Sequence, residues 1–183
     1  MKLHVLVEDV PTAIAAVEAG ATVVQLRKKG ASTEELVRLG DHLRDLPALF
    51  IVNDDVEAAL RLHADGVHLG RTDSGLDRAR SEGLLIGLSA ASVEDAAAAE
   101  RNGATYIGAG PVWETPSKTD ADPAIGLKGL TVICSAVEVP VVAIGGVNAS
   151  NAADCIRAGA EGVAVIRAAH DAAAVLEAID AAR

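Results

Sequence analysis

Three polar side chains alternate along one short stretch, VVQLRKKG (23–30), and their types suit the binding of an anion. Gln25, Arg27 and Lys29 occupy every second position, so in a β-strand all three side chains point to the same side. The protein carries a formal net charge of −10, and its overall field therefore repels anions. We interpret Arg27 and Lys29, together with Lys118, as local donors for a phosphate-containing ligand.

Two carboxylates follow neighbouring predicted strands and are candidates for binding a metal ion. Asp54 comes after IVN (51–53), and Asp73 comes after GVHLG (66–70). Mg²⁺ typically takes one or two carboxylates and completes its octahedral shell with water and phosphate oxygens. The same residues could also be exposed loop acids or helix caps, which are common roles for aspartate.

A second candidate phosphate site lies where VVAIGG (141–146) ends. Gly145 and Gly146 allow backbone N–H groups to approach a ligand closely, and a helix is predicted to begin at NASN (148–151). The alternative is a simple tight turn. The segment GPVWETPSKT (110–119) adds hydroxyls and a lysine, although a surface loop has a similar composition. Trp113 is expected to anchor that segment by packing. His68 is interpreted as a hydrogen-bonded core histidine, with a catalytic base as the alternative.

Eight short apolar runs recur along the sequence and predict the elements that position these groups. Most are continuous rather than alternating, which is typical of parallel strands covered by helices. The runs are LHVLV (3–7), VVQLR (23–27), ALFIVN (48–53), GVHLG (66–70), LIGLS (85–89), YIGAG (106–110), VVAIGG (141–146) and GVAVI (162–166). Helical segments lie between several of them, so we predict one (β/α)8 barrel over residues 1–183, with shortened loops. An open doubly wound sheet is the alternative. In a barrel, the functional groups gather at the carboxyl ends of the strands.

Local signals predict where several helices begin and end. Ser32 and Glu35 form a capping-box pattern at the start of STEELVRLGDHLRDL, and Ser92 and Asp95 form a similar pattern before an alanine-rich segment. Gly159 stands where the helix ASNAADCIRAG needs a C-cap.

Composition and charge exclude several classes of protein. Half of the residues are hydrophobic and only 2% are aromatic, so the core is built from aliphatic residues. The acidic balance argues against nucleic acid or an anionic membrane as partner. No apolar run reaches the ~18 residues that a membrane span needs, and the start MKLHVLVEDVP does not resemble a signal peptide. We expect a cytoplasmic protein in which Cys134 and Cys155 are reduced and buried.

Four blocks of the sequence resemble the thiamine phosphate synthase (thiamine-phosphate pyrophosphorylase) family in order and spacing. They are VVQLRKK, IVNDDVEAALRLHADGVHLGRTD, IGLSAASVEDAAAAERNGATYIGAGPVWETPSK and VPVVAIGGVNASNAADCIRAGAEGVAVI. The resemblance covers nearly the whole chain and implies a (β/α)8 barrel. It also implies a Mg²⁺-dependent transferase that joins hydroxymethylpyrimidine diphosphate to a thiazole phosphate. Pyrophosphate leaves first, and the thiazole nitrogen then attacks the carbocation-like centre.

The resemblance also implies a role for each matching position. The pyrimidine diphosphate site would comprise Gln25, Arg27, Lys29, Asn53, Ser89 and Lys118. The Mg²⁺ ligands would be Asp54 and Asp73, and the thiazole phosphate site would comprise Thr115, Ser117, Gly146, Ile166 and Arg167. Arg27, Lys29 and Lys118 are the expected catalytic groups, because they neutralise the departing diphosphate.

The sequence departs from the family's pattern at several points, which include Asp55, Arg167, the segment SAAS (89–92) and a short loop after the first strand, and two other functions remain open. Asp55 stands where the family usually has arginine, which adds negative charge beside the expected metal site, and Arg167 stands in place of a serine. One alternative is the related thiazole tautomerase, an isomerase. The other is a non-catalytic barrel that binds a phosphate of the thiamine pathway and regulates another process. The oligomeric state is undetermined, and a homo-oligomer is left open.

Overall fold

The computed structural model describes residues 1–115 and 123–183, and within them eight parallel strands close into a barrel. Strand β1 pairs with both β2 and β8, which completes the ring. The predicted (β/α)8 barrel is therefore confirmed. The elements run in the order β1 Leu3–Val7, α1 Val10–Glu18, β2 Val23–Leu26, α2 Thr33–Gly40, β3 Leu49–Asn53, α3 Val56–Arg61, β4 Gly66–Leu69, α4 Leu76–Ser81, β5 Leu85–Ala90, α5 Val93–Arg101, β6 Tyr106–Ala109, α6 Gly126–Ala136, β7 Val141–Ile144, α7 Ala152–Arg157, β8 Gly162–Val165, a 3-10 turn Ala169–Asp171, and α8 Ala172–Asp180.

All eight predicted runs form strands: LHVLV coincides with β1, and the other seven differ from the observed strands by one or two residues. Strand β7 is shorter than VVAIGG because Gly145 and Gly146 adopt positive φ angles of 95° and 72°, which a strand cannot contain. Helix α2 is also shorter than predicted and ends at Gly40. Gly40 packs closely against the core, since an added Cβ would stand 3.1 Å from the Phe50 ring. The chain forms a turn directly after Gly40.

The barrel has an outer and an inner apolar layer. The outer layer lies between the strands and the helices, where aliphatic strand residues such as Val24 and Leu26 belong to the core that includes the helix alanines Ala96 and Ala99. Alanine is the best helix former, and its small side chain lets helices pack closely on the sheet. Helices α3, α4 and α7 have only six residues each. These short elements allow 183 residues to form a complete barrel.

The two cysteines lie in the helical layer. Cys155 is buried and Cys134 is half-buried, and both are free thiols. Burial raises the pKa of Cys134 to about 11 and that of Cys155 to about 12, which keeps the thiols protonated at neutral pH. In the described ranges, no helix has the length and hydropathy needed to cross a membrane.

The start of helix α2 has the predicted capping box. The Ser32 hydroxyl accepts from the Glu35 backbone N–H, and the Glu35 carboxylate accepts from the Ser32 backbone N–H at 2.9 Å. We expect Ser32→Ala to lower the free energy of unfolding by about 1 kcal/mol and the melting temperature by about 2–4 °C. Thermal denaturation measures the change. Ser32→Asp, which keeps a capping oxygen, is the control, and an equal loss in both variants would contradict the role of the cap.

Candidate active site

A cavity of about 790 Å³ opens at the carboxyl ends of the barrel strands. This is the end at which (β/α)8 enzymes carry their active sites. Its wall contains every predicted site residue that falls in the described ranges: Gln25, Arg27, Lys29, Asn53, Asp54, Asp73, Ser89, Thr115, Gly145, Gly146, Ile166 and Arg167. Ser117 and Lys118 lie outside the described residues.

Gln25 on β2, and Arg27 and Lys29 in the segment after β2, line this cavity at three depths. Gln25 is 3% exposed, Arg27 is half-buried, and Lys29 is exposed at the rim. The intervening Val24 and Leu26 pack in the outer core. Strand alternation therefore separates the two sets of side chains as expected. The cations stand at the open end of the barrel, where water or a ligand reaches them.

Asp54 and Asp73 form a pair of interacting carboxyl groups at the mouth. Asp54 has a φ of 65°, a left-handed conformation that aspartate tolerates better than most residues. Its backbone N–H donates to the His68 carbonyl oxygen at 2.8 Å. Partial desolvation in the cavity wall raises the pKa of Asp54 to about 6, the hydrogen bond and repulsion from Asp73 add to the rise, and Arg27 opposes it. A bound cation would relieve this repulsion.

The donor set fits a hard divalent cation that keeps open coordination positions. No group of three or more His, Cys, Asp or Glu residues suited to a metal occurs in residues 1–115 and 123–183. Two carboxylates alone are nevertheless typical for Mg²⁺, which takes its other oxygens from water and from substrate phosphates. The Asp73 carboxylate also accepts from the Gly70 backbone N–H at 2.6 Å, which holds it against the loop.

The carboxylate of Asp55 is engaged away from the pair formed by Asp54 and Asp73. It caps helix α3 by accepting from the Ala58 backbone N–H at 2.8 Å, and it accepts from the Thr33 hydroxyl at 2.6 Å. The expected extra negative charge beside the metal site is therefore directed toward the start of a helix, where it is stabilised by the helix dipole.

The loop after β7 is held rigidly against the segment after β6. A Cβ at Gly145 would stand 2.5 Å from Pro111 Cβ, and a Cβ at Gly146 would stand 2.6 Å from Trp113 Cβ. The Trp113 backbone N–H donates to the Gly145 carbonyl oxygen at 3.0 Å, and Asn151 donates through its side chain to the Gly146 carbonyl oxygen at 3.0 Å. Trp113 is partly buried against the core, in agreement with its expected anchoring role.

Two residues of the cavity floor, Tyr106 and His4, are additions to the set predicted from sequence. Tyr106, the only tyrosine of the chain, is 1% exposed, and His4 is equally buried. Both line the cavity, and their rings meet edge to face with centroids 5.1 Å apart. Burial, together with the nearby His68 and the N-terminus, lowers the pKa of His4 to about 3, so this imidazole is neutral. His4 and Leu6 occupy alternate positions of β1, so their side chains lie on the same side of the strand. This spacing is the sequence signal from which the inward direction of His4 could have been predicted.

His68 lines the cavity and also contacts side chains of the barrel interior. Its Nδ1 lies 3.0 Å from the Tyr106 hydroxyl, and its Nε2 lies 3.0 Å from Ser89 Oγ. The interpretation of His68 as a hydrogen-bonded histidine is consistent with this geometry.

Comparison with known proteins identifies relatives that are named thiamine-phosphate synthases. The family model for thiamine monophosphate synthase matches residues 5–169. The thiamine-phosphate synthase of Chloroflexus aurantiacus is 48% identical over 160 residues, which are 84% of this chain and 74% of that protein. The thiamine-phosphate synthase of Pyrococcus furiosus is 44% identical over 179 residues, or 92% of this chain and 86% of that protein.

A solved structure extends the likeness to the complete barrel. The thiamine phosphate pyrophosphorylase from Pyrococcus furiosus superposes with a TM-score of 0.89 at 38% sequence identity. The match covers 99% of this chain and 96% of that one. With the family model spanning most of the barrel, the chain belongs to the thiamine monophosphate synthase family.

Proposed function

We propose that this barrel, as one domain, is a thiamine-phosphate synthase. It joins hydroxymethylpyrimidine diphosphate to a thiazole phosphate, releases pyrophosphate, and requires Mg²⁺. The observation that carries the proposal is the meeting of Arg27, Lys29, Asp54 and Asp73 in one cavity wall. Cations and a carboxylate pair in one mouth suit a ligand that brings a diphosphate together with its metal ion. The names of the relatives support the same activity.

Arg27 and Lys29 place positive charge in the cavity of a protein with a net charge of −10. During the reaction, the C–O bond between the pyrimidine methylene and the diphosphate breaks, and its electron pair leaves with the diphosphate. Arg27 and Lys29 would stabilise the charge that accumulates on this leaving group. We assign Lys118 the same role from the sequence. Preorganised donors are most effective here because they need no rearrangement during the reaction.

Asp54 and Asp73 would hold the metal ion. When bound, Mg²⁺ supplies positive charge that stabilises the departing diphosphate. The two aspartates would fix the position of that charge near Arg27, which already interacts with Asp54. Asn53, at the end of β3, would orient the same end of the substrate.

The opposite side of the mouth would hold the thiazole phosphate. Gly145 and Gly146 expose backbone to the cavity, and Thr115, Ile166 and Arg167 line it nearby; Ser117 is assigned to this site from the sequence. Holding the thiazole next to the pyrimidine methylene lets its nitrogen lone pair form the new C–N bond with the carbocation-like methylene once the diphosphate has left. Fixing two reactants in this way lowers the entropic part of the barrier.

The test is to incubate the purified protein with both substrates, with and without Mg²⁺, and to detect product by mass spectrometry. We expect thiamine phosphate and pyrophosphate only when Mg²⁺ is present. Isomerisation of the thiazole phosphate without condensation would instead establish a tautomerase. Binding of either phosphate compound without turnover would indicate a regulatory barrel.

Arg167 provides a separate test of the thiazole half. It is exposed at the mouth and lines the cavity. We expect Arg167→Ala to raise the KM for the thiazole phosphate about tenfold, since a charge-assisted hydrogen bond contributes roughly 1.5–3 kcal/mol. The KM for the pyrimidine diphosphate should stay near the wild-type value. Steady-state kinetics with each substrate varied in turn measures both constants. A larger effect on the pyrimidine diphosphate would contradict the assignment.

A further inference from the structure

The side chain of Asn151 bridges two points of the loop that follows β7, which we call the β7 loop (residues 145–148). Its Oδ1 accepts from the Asn148 backbone N–H at 2.9 Å, and its Nδ2 donates to the Gly146 carbonyl oxygen at 3.0 Å. One partner is a donor and the other is an acceptor, so only one orientation of the amide satisfies both. The Asn151 side chain is half-buried and ties the loop to the start of helix α7.

Asn151 occupies a position at which a residue of its type normally caps a helix. It is the N-cap residue of α7, and an asparagine there usually accepts from a backbone N–H of the first helical turn. The Asn151 side chain makes no such bond. Its carbonyl and amino groups are turned back to the β7 loop instead. The side chain therefore holds the loop rather than its own helix.

A second contact holds the β7 loop against the segment after β6. The Trp113 backbone N–H donates to the Gly145 carbonyl oxygen at 3.0 Å, and a Cβ at Gly146 would stand 2.6 Å from Trp113 Cβ. Gly145 and Gly146 have φ angles of 95° and 72°, which residues with side chains rarely adopt. The loop is therefore held by both Trp113 and Asn151, in a backbone conformation that favours glycine.

These contacts determine where the N–H groups of the loop point. In a trans peptide unit the carbonyl oxygen and the following N–H point in opposite directions. The Gly145 carbonyl faces Trp113 and the Gly146 carbonyl faces Asn151, so the N–H groups of Gly146 and Val147 point away from these partners. Both residues line the cavity. Within residues 1–115 and 123–183, no acceptor pairs with either N–H group. An unpaired N–H of a buried residue such as Val147 favours a site for an acceptor.

We propose that Asn151 is a positioning residue, which holds the N–H groups of Gly146 and Val147 in place for an anionic oxygen of the ligand. The inference rests on the proposed function for the identity of this anion, the thiazole phosphate. Consecutive N–H groups in a glycine turn form a concave site for anions. A loop that is fixed before the ligand arrives loses less entropy on binding. Asn151 itself does not line the cavity and acts through the loop.

Asn151→Ser tests the proposal, with Ser150→Ala as the matched control. Serine caps helices about as well as asparagine, so α7 should be preserved, but one short hydroxyl cannot reach both Asn148 and Gly146. The hydroxyl of the neighbouring Ser150 donates to Asn148 Oδ1 at 2.6 Å and does not contact Gly146. Thiazole phosphate is titrated into protein labelled with ¹⁵N on glycine, and the shift of the Gly146 amide resonance gives the Kd.

We expect Asn151→Ser to raise the Kd for thiazole phosphate about tenfold, which is the scale of one hydrogen bond to a charged group. The KM for the pyrimidine diphosphate should stay near the wild-type value, and Ser150→Ala should change neither constant. A side chain that only stabilised the fold would lower the melting temperature and affect both substrates alike.

Three results would overturn the positioning role: an unchanged Kd in Asn151→Ser, an equal loss for both substrates, or the same loss in Ser150→Ala. If Asn151→Ser does not fold, Asn151→Asp is compared with Ser150→Asp, which places the same charge one residue away. Aspartate keeps the bond from the Asn148 N–H but cannot donate to Gly146. Equal Kd values in these two variants would refute the proposal.

The titration requires no turnover, so it is independent of the test of the proposed function. A wild-type protein that binds thiazole phosphate at Gly146 but forms no thiamine phosphate would disprove the proposed function and leave the comparison of the variants decisive. A wild-type protein in which thiazole phosphate does not shift the Gly146 resonance would overturn the role of the β7 loop itself.

Discussion

Asp54→Asn should lower the rate of thiamine phosphate formation about a thousandfold, as expected when a metal-assisted step loses a ligand of its metal. The substitution keeps the shape of the side chain but removes the negative charge that interacts with Asp73 and Arg27. Initial rates followed by mass spectrometry over a range of Mg²⁺ concentrations measure the effect. We also expect the Mg²⁺ concentration needed for half-maximal rate to rise.

Asp55→Asn is the matched control, because it makes the same chemical change at the next residue. Asp55 caps helix α3 and accepts from Thr33, and asparagine caps helices about as well as aspartate. Its activity and Mg²⁺ requirement should therefore stay close to the wild-type values. If the two variants lose activity equally, or if Asp54→Asn responds to Mg²⁺ like the wild type, the metal role of Asp54 is wrong.

Gly87→Ala should cause the largest loss of stability among the substitutions considered. The added methyl group would overlap the Tyr106 ring and approach His68 Nδ1 to 2.5 Å, and both rings are held by the surrounding barrel. Overpacking of this kind costs up to about 3 kcal/mol, which corresponds to a melting temperature lower by roughly 6–12 °C. Activity should fall as well, because a displaced His68 ring no longer holds Ser89. Thermal denaturation and steady-state rates measure the two effects.

Gly83→Ala separates this steric effect from the general cost of replacing a glycine. Gly83 lies just before the same strand and has a φ of 75°, but its added Cβ would meet no described heavy atom within 4 Å. The expected loss is only the strain of a left-handed alanine, about 1 kcal/mol, with unchanged activity. Equal destabilisation of the two variants would show that the contacts with Tyr106 and His68 are unimportant.

The positions of individual charged side chains, rather than the net charge, determine what this barrel can bind. The whole molecule is strongly acidic, yet Arg27 and Lys29, which follow β2, both line the cavity. Salt bridges elsewhere, such as Arg78–Glu57 and Arg61–Glu34, lie on the exposed helical surface. Exposed pairs of this kind contribute little to stability, because water and salt screen them. The acidic surface therefore affects solubility and long-range repulsion, while recognition depends on the mouth.

Features that depend on neighbours in the chain were predictable from the sequence. Strand alternation predicted that Gln25 and Arg27 share a side, whereas Lys29 lies beyond the end of β2 at Leu26, so its position on the cavity wall depends on the loop. The capping box of Ser32 and Glu35 is equally local, because both hydrogen bonds close within four residues. The eight apolar runs predicted the parallel strands, because strands that are covered by helices are apolar along most of their length; closure into a barrel, rather than an open sheet, is seen in the structure.

Features that depend on contacts between distant residues required the tertiary structure. Asp54 and Asp55 are adjacent and chemically identical, yet one faces the cavity and the other caps a helix. Their directions depend on the backbone turn after β3, where Asp54 takes a positive φ.

The hydrogen bonds of His68 show the same dependence on distant contacts. His68 lies 38 residues from Tyr106 and 21 from Ser89 in sequence, and barrel closure brings the three together. The sequence by itself therefore predicted the eight strands, the shared side of Gln25 and Arg27, and the local caps. The tertiary structure decided which acids pair, which pKa values shift and which distant side chains hydrogen-bond, since these depend on desolvation and on distances of a few ångströms between strands.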